Sequence, residues 1–292
     1  MTPFIDALRA RPLILDGGLG TLLEARGHDV SSELWSARLL RDDPDAVRDA
    51  HREFADAGAD VLITSSYQLA YGGVIADRDV DGLLRRSVLL AREAGGMFVA
   101  ASVGPYGACR ADGSEYTGRY DCDVDALRAW HRRRLEVLAD AGADALAIET
   151  IPNLTEVEAL AAELERLDRP DLPVWISLSA SSDALSGDAL AAALELAGAA
   201  PGVIAAGVNC CDPASVGPAL AAVPAGLARV AYPNSGEQWD AASRTWVGTG
   251  GVPTALAGEW IAAGARLVGG CCRTSPAHIA ALAAAVGVPK AG

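Results

Sequence analysis

The sequence predicts a single (β/α)8 barrel domain of the α/β class that spans residues 1–292. Three observations support this fold. Eight short apolar runs alternate with segments of helical periodicity, several runs are apolar on both faces, and no linker-like stretch divides the chain. Strands that are apolar on both faces are typical of a parallel sheet covered by helices. Eight such units in 292 residues match the usual size of a barrel, whereas the alternative, an open doubly wound sheet, usually has fewer strands.

The predicted strands are short runs rich in Val, Ile, Leu and Ala. In chain order they are Leu13–Leu15, Val61–Thr64, Phe98–Val103, Ala145–Ile148, Val174–Leu178, Val203–Val208, Ala228–Tyr232 and Leu267–Val268. The segment Asn234–Gly251, which follows the seventh strand, is predicted to be a long loop.

Apolar residues three and four positions apart predict helices between these strands. The clearest are Asp123–Ala141, Leu154–Arg166 and Ser275–Val286. Asn153 or Thr155 is expected to cap the second of these helices, and Ser275 followed by Pro276 is a typical start for the third. Similar Ala-Gly-Ala turns place a glycine where a helix end favours left-handed backbone: Gly58, Gly142 and Gly264.

Composition excludes several classes of function. The formal net charge is −14, from 24 basic and 38 acidic residues, which argues against nucleic acid and anionic membranes as partners. The only lysine is Lys290, so a phosphate-binding or Schiff-base lysine inside the fold is not expected. No signal-peptide pattern and no membrane-length apolar run is present, which predicts a cytoplasmic protein. A monomer and a small homo-oligomer both fit.

Functional residues of such barrels lie at the C-terminal ends of the strands. Four of the six cysteines fall there, after strands six and eight: Cys210, Cys211, Cys271 and Cys272. These strand ends lie about 10 Å apart, with one strand between them. Three thiolates with one open position suit catalytic zinc, and sulfur ligands argue against magnesium or calcium. The alternatives are buried cysteines that act as small apolar residues, and disulfides, which a reducing compartment disfavours.

Two carboxylates, Asp16 and Glu149, also lie at predicted strand ends. They could act as general acid or base, bind a substrate ammonium group, or cap neighbouring backbone. Cys109 and Cys122 are interpreted as incidental. The histidines lie away from the strand ends and are predicted to be surface residues: His28, His51, His131 and His278.

Eight motifs cover almost the whole chain. They are Leu15–Gly27, Glu33–Ala37, Ser102–Ala108, Ala111–Tyr120, Glu149–Leu160, Gly207–Cys210, Tyr232–Asp240 and Gly269–Ile279. Together they resemble the homocysteine S-methyltransferase family. The Gly-Gly-Cys-Cys sequence at Gly269, with Gly-x-Asn-Cys upstream, resembles the zinc signature of that family. The segments Ala111–Tyr120 and Tyr232–Asp240 are most similar to its compact bacterial and plant branch.

The resemblance implies that Cys210, Cys271 and Cys272 bind Zn²⁺ and that no catalytic side chain is needed beyond this metal site. Because adjacent strand residues point to opposite faces, only one of Cys210 and Cys211 should reach the metal. The resemblance also implies a substrate-binding set. Asp16, Gly17 and Glu149 would hold the amino-acid end of homocysteine, Tyr67 matches a tyrosine that can occupy the fourth zinc position, and Asn234 completes the set.

The implied reaction is methyl transfer from S-methylmethionine or S-adenosylmethionine to homocysteine, which gives methionine. The segments 105–120 and 232–251 are the candidates to cover the donor. Rival interpretations are a betaine or methylcorrinoid donor, a selenocysteine acceptor, and a catalytically silent barrel that senses redox state or stores zinc. The corrinoid rival would normally require additional domains.

Overall fold

A computed structural model describes residues 3–28, 36–73, 75–110, 112–180, 185–240, 245–248 and 250–287. Lys290 and most of the motif Glu33–Ala37 lie outside these residues. The strands are β1 (Leu13–Ile14), β2 (Val61–Ile63), β3 (Phe98–Val103), β4 (Ala145–Ile151), β5 (Val174–Leu178), β6 (Val203–Asn209), β7 (Ala228–Tyr232), β8 (Gln238–Asp240), β9 (Thr245–Val247) and β10 (Ala265–Val268).

Eight of these strands form one parallel sheet in the order β1-β10-β7-β6-β5-β4-β3-β2. The two outer strands of that order also meet, because Leu15 pairs in parallel with Val61. The Asp60 N–H donates to Ile14 O at 2.8 Å, and the Asp16 N–H donates to Val61 O at 3.1 Å. The sheet therefore closes on itself, and the predicted (β/α)8 barrel is confirmed.

One helix precedes β1 and the others follow or connect the strands, most of them on the outside of the barrel. They are α1 (Pro3–Ala10), α2 (Leu19–Ala25), α3 (Ser36–Asp42), α4 (Pro44–Asp56), α5 (Asp77–Glu93), α6 (Ser114–Thr117), α7 (Val124–Ala139), α8 (Leu154–Leu167), α9 (Gly187–Ala199), α10 (Val216–Ala222), α11 (Val252–Ala262) and α12 (Pro276–Val286). Short 3-10 turns cover Tyr106–Cys109 and Pro213–Ser215. Within the described ranges, no helix combines the length and apolar character needed to cross a membrane.

The predicted helix boundaries agree closely with the structure. The Asn153 side chain accepts a hydrogen bond from the Glu156 N–H at 2.8 Å, which confirms it as the N-cap of α8. Ser275 caps α12 in the same way, and Pro276 is the first residue of that helix. The three turn glycines have positive φ, as predicted: 104° at Gly58, 85° at Gly142 and 93° at Gly264.

Buried side chains form two clusters, one between the sheet and the helices and a smaller one inside the barrel. Phe4 of α1 belongs to the inner cluster, where it packs edge-on against Phe98 and is stacked with Trp175. This apolar packing fills the barrel interior toward the N-terminal ends of the strands, which leaves the opposite end of the interior for a polar site.

The largest differences from the predicted elements are two, besides the last barrel strand, which begins at Ala265, two residues before its predicted start. Strand β4 continues three residues beyond its predicted end, to Ile151, so Glu149 lies within the strand. The pairing with β5 is irregular between Ile148 and Ile151, and sequence periodicity could not show this. The predicted loop Asn234–Gly251 contains the antiparallel hairpin β8–β9, because Gln-Trp-Asp and Thr-Trp-Val form two complementary short strands.

Candidate active site

A cleft with an empty volume of about 880 Å³ opens at the C-terminal ends of the barrel strands. It is lined by residues of β2, β4, β6 and β7, of the segments that follow β1, β2, β6 and β10, and of α2 and α6. Its described lining contains three carboxylates and three cysteines but no Lys, Arg or His: Asp16, Glu115, Glu149, Cys210, Cys271 and Cys272. A cavity with this lining favours cationic ligands.

Cys210, Cys271 and Cys272 form a compact sulfur cluster. Their Sγ atoms all lie within 4.8 Å of one another, and each residue is partly exposed. Sulfurs that share a tetrahedral zinc ion lie roughly 3.8 Å apart, given Zn–S bonds of about 2.3 Å. The three sulfurs are therefore close enough together to serve one soft metal ion after reduction, and their partial exposure leaves access for a further ligand.

The structure joins Cys210 and Cys271 in a disulfide, with their Cα atoms 5.3 Å apart. A disulfide between the two cysteine pairs, which was the disfavoured alternative from the sequence, is therefore present in this structure. The reason is geometric, since the convergence that suits a metal also brings two sulfurs within bonding reach. Metal ligation requires thiolates, so this pair can bind a metal only when it is reduced.

Cys211 points away from the cluster and is buried in the apolar layer outside the sheet. Burial raises the pKa of its thiol to about 12. This confirms the prediction that only one residue of the Cys210–Cys211 pair faces the site, and Cys210 is that residue.

Three residues around the cavity have left-handed backbone although none is a glycine: Thr150 (φ 62°), Cys210 (φ 47°) and Arg273 (φ 61°). Such conformations cost about 1–3 kcal/mol each and persist only where surrounding contacts hold them. Asn209 supplies these contacts for Thr150. Its Oδ1 accepts from the Thr150 N–H at 2.7 Å, and its Nδ2 donates to Thr150 Oγ1 at 2.8 Å.

Asn209 was missed as a functional residue, although the Gly-x-Asn-Cys motif could have indicated it. Its side chain connects the end of β4 to the end of β6, directly before Cys210. Gly207 of the same motif is required for another reason. A Cβ atom there would lie 1.9 Å from the Val230 carbonyl oxygen on β7.

Glu149 lies on the cavity floor and is 7% exposed. Ser102 donates to Oε1, and the Tyr232 hydroxyl donates to Oε2 at 3.1 Å. These bonds favour the ionised form, but burial outweighs them and raises the pKa of Glu149 to about 7. A cation that binds beside this carboxyl group would therefore favour its ionised form at neutral pH.

Asp16 lies beside it and is 2% exposed. Its Oδ2 accepts from the Ile63 N–H at 2.9 Å, while burial and the neighbouring charge of Glu149 raise its pKa. Gly17 lines the same cavity, and a Cβ at that position would meet the Thr274 carbonyl oxygen at 2.2 Å. Asp16, Gly17 and Glu149 are thus brought together as the sequence predicts, and their contact with substrate stays a prediction.

Tyr67 also lines the cavity, and its hydroxyl is hydrogen-bonded to Thr150. Its backbone is held from behind by the fully buried Arg134. This guanidinium donates to the carbonyl oxygens of Tyr67 and Gly104 at 3.0 Å each and lies 4.5 Å from the ring centre of Trp130. The role of Tyr67 at the metal stays a prediction.

Asn234 is absent from the residues that line the cavity. Its Oδ1 accepts from the Cys272 N–H at 3.2 Å, and its own N–H donates to Cys211 O at 3.0 Å. The structure therefore gives this predicted substrate residue a part in holding the cysteine segments. Its contact with substrate stays a prediction.

The segment between β3 and α7 brings α6 to the cavity. The Tyr116 hydroxyl is hydrogen-bonded to the Cys272 sulfur, and Glu115 lines the cavity beside it. Gly107 permits this packing, because a Cβ there would lie 2.4 Å from the Glu115 nitrogen. Sequence reasoning identified the segment as a cover for the donor but not the two side chains.

The prediction that all four histidines are surface residues was wrong for two of them. His51 of α4 and His131 of α7 are fully buried, because both lie on helix faces that pack against the barrel. His131 Nε2 lies 2.8 Å from Glu156 Oε1. His51 Nδ1 lies 4.0 Å from Asp16 Oδ2, and burial lowers the pKa of His51 to about 4.

Comparison with known proteins agrees with this geometry. Residues 13–286 match the family model described as Homocysteine S-methyltransferase. The chain is 45% identical to the homocysteine S-methyltransferase of Escherichia coli strain K12, over 93% of this chain and 94% of that protein. It is 41% identical to homocysteine S-methyltransferase 4 of Zea mays, over 94% and 89% of the two chains.

Crystal structures of the homocysteine methyltransferase MmuM from Escherichia coli are similar throughout. An oxidised form has a TM-score of 0.82 and 42% identity, covering 94% of this chain and 95% of that one. A metallated form has a TM-score of 0.82 and 41% identity, covering 95% and 99%. With the family model matching nearly the whole barrel, these findings establish that the chain belongs to the homocysteine S-methyltransferase family.

Proposed function

We propose that this protein transfers a methyl group from a sulfonium donor, S-methylmethionine or S-adenosylmethionine, to the sulfur of homocysteine, with Zn²⁺ bound by Cys210, Cys271 and Cys272. One observation carries the proposal. Three cysteine sulfurs converge at the same cavity as two buried carboxylates, Asp16 and Glu149. An acceptor that carries both a thiol and an ammonium group matches these two features at once.

Zinc, when bound, would lower the pKa of a coordinating thiol, so that the acceptor sulfur is a thiolate at neutral pH. The chain's own residues supply binding and orientation. The acceptor sulfur forms the new S–CH₃ bond as the donor's S–CH₃ bond breaks, and the donor leaves as a neutral thioether. No general base and no oxyanion hole is therefore needed.

Asp16 and Glu149 would bind the substrate ammonium. Both carboxyl groups have raised pKa values because they are buried and, for Asp16, because Glu149 lies nearby. A cation placed between them offsets the cost of ionising both groups in a dry cavity. Homocysteine binding should therefore release protons from this pair, and it fixes the amino-acid end of the acceptor while its sulfur reaches the cysteines.

The proposal is tested with reduced, zinc-loaded protein, homocysteine and one donor at a time, each labelled in its methyl group. The donors are S-methylmethionine, S-adenosylmethionine and betaine. The label is required because demethylated S-methylmethionine is itself methionine. Labelled methionine from either sulfonium, and its loss in Cys271→Ser, is the expected result. No transfer from any donor, with zinc verified as bound, would overturn the proposal and favour the silent-barrel alternative.

A further inference from the structure

Glu115 is a third carboxylate at the cavity, and nothing in the acceptor site uses it. It lies on α6 beside Tyr116, whose hydroxyl is hydrogen-bonded to the Cys272 sulfur, and it lines the same cavity as the sulfur cluster. Asp16 and Glu149 reach this cavity from the C-terminal ends of strands, whereas Glu115 reaches it from the segment between β3 and α7.

One carboxylate oxygen of Glu115 lacks a hydrogen-bond partner. Oε2 is buried and makes no hydrogen bond within the described residues. Burial also raises the pKa of Glu115, although main-chain N–H groups of Gly113 and Glu115 itself favour the ionised form. A buried carboxylate oxygen without a partner is unfavourable, which is expected where a ligand provides the missing hydrogen bond.

The missing group must be a hydrogen-bond donor, and a cation suits it best. No basic side chain lines the described part of the cavity. The sulfonium centre of a methyl donor is positive but carries no N–H or O–H, so it cannot provide a hydrogen bond to Oε2. An ammonium group provides both the charge and three N–H donors.

We infer that Glu115 binds the α-ammonium group of the methyl donor and so selects amino-acid sulfoniums as donors. This inference rests on the proposed function. The two ammonium groups of the reaction are then held by separate carboxylates, that of the acceptor by Asp16 and Glu149 and that of the donor by Glu115. The short α6, packed on the turn at Gly107, positions this recognition beside the sulfur cluster.

The test compares the wild type with Glu115→Gln, which keeps the shape and removes the charge. Asp121→Asn is the matched control, because Asp121 is an exposed acid of the same segment and does not line the cavity. Loss of a hydrogen bond between charged groups predicts a rise of about 10- to 100-fold in the KM for S-methylmethionine. The KM for homocysteine and the zinc content should stay at the wild-type values, as should all parameters of the control. Glu115→Asp should restore part of the affinity.

A second methyl donor distinguishes recognition of the ammonium group from recognition of the sulfonium centre. Dimethylsulfoniopropionate has the sulfonium but no ammonium group, so Glu115→Gln should leave its kcat/KM unchanged and reduce the preference for S-methylmethionine. An equal loss with both donors, or a rise in the homocysteine KM instead, would overturn the inference. If the wild type transfers methyl groups and Glu115→Gln behaves like it, the inference alone fails. If the wild type transfers none, the proposed function fails with it.

Discussion

Replacing Glu149 by Gln should stabilise the metal-free protein at alkaline pH while weakening homocysteine binding. In the wild type, burial raises the pKa of this carboxyl group to about 7. An unfolded glutamate titrates near 4.3. Between these two pH values the folded protein binds a proton that the unfolded chain has released, so stability falls as pH rises through this window. Glutamine removes the ionisation and therefore the loss.

The size of the effect follows from the two pKa values. The wild type should lose between about 2 and 3 kcal/mol of unfolding free energy from pH 5 to pH 8 through this group alone. Glutamine can keep both hydrogen bonds, since its Oε1 accepts from Ser102 and its amide donates to the Tyr232 hydroxyl. The stability of Glu149→Gln relative to the wild type should therefore rise by this amount between the two pH values.

Although Glu149→Gln should gain stability at alkaline pH, its activity should fall. A neutral amide cannot balance the charge of the substrate ammonium, so the KM for homocysteine should rise by about 10- to 100-fold, with a smaller effect on kcat. In the wild type, kcat/KM for homocysteine should fall as pH drops below about 7, since protonation of Glu149 removes the same charge.

The assay is denaturant unfolding of reduced, metal-free protein at both pH values, together with steady-state kinetics on the zinc-loaded form. Glu158→Gln is the control, because Glu158 is an exposed acid on α8. It should show neither the pH-dependent gain in stability nor the rise in KM. Equal stability differences for Glu149→Gln at both pH values would refute the burial argument. A loss in kcat at unchanged KM would indicate a chemical role for the carboxylate.

Three further predictions concern the supporting residues. Cys272→Ser should lose bound zinc and activity, whereas Cys211→Ala should retain both, as metal analysis after reduction would show; equal zinc in the two variants would argue against the proposed ligand set. Asn209→Ala leaves the buried Thr150 N–H without a partner and removes one of the hydrogen bonds of Thr150 Oγ1, so it should reduce the unfolding free energy by about 1–3 kcal/mol. Asn209→Asp keeps one bond and should lose less, so equal losses would contradict this account. Arg134→Met leaves two buried carbonyl oxygens without donors and should reduce stability by about 2–5 kcal/mol in denaturant unfolding; wild-type stability would show that these bonds contribute little.

The barrel was predictable because each of its eight strands is encoded locally. Each of these strands is a short apolar run, and turn glycines such as Gly58 mark several helix ends. The end of β4 was not predictable, because the left-handed backbone of Thr150 depends on Asn209, a side chain 59 positions away. His51 and His131 were misassigned for a similar reason, since their burial depends on which helix face meets the barrel.

The acceptor site could be predicted only in part. Strand ends and family motifs brought Asp16, Glu149 and the three site cysteines onto one rim, but they could not show which side chains reach in from the connecting segments. Glu115 lies on α6, a helix of only four residues, which is too short for a periodic pattern to indicate a direction. Its position depends on α6 packing against the preceding turn, which is a tertiary contact.

Hydrogen bonds to the cysteine backbone define the role of the Tyr232–Asn234 segment. The sequence assigns Asn234 to substrate, but the hydrogen bonds of this segment run to the cysteines. Tyr232 O accepts from the Cys210 N–H at 3.2 Å, Pro233 O accepts from the Cys271 N–H at 2.7 Å, and Asn234 Oδ1 accepts from the Cys272 N–H at 3.2 Å. Each proposed ligand thus has its backbone held by one consecutive residue at the end of β7, the strand between β6 and β10. The position of the three cysteines is therefore tied to the register of β7 in the barrel, since a shift of that strand would displace all three together.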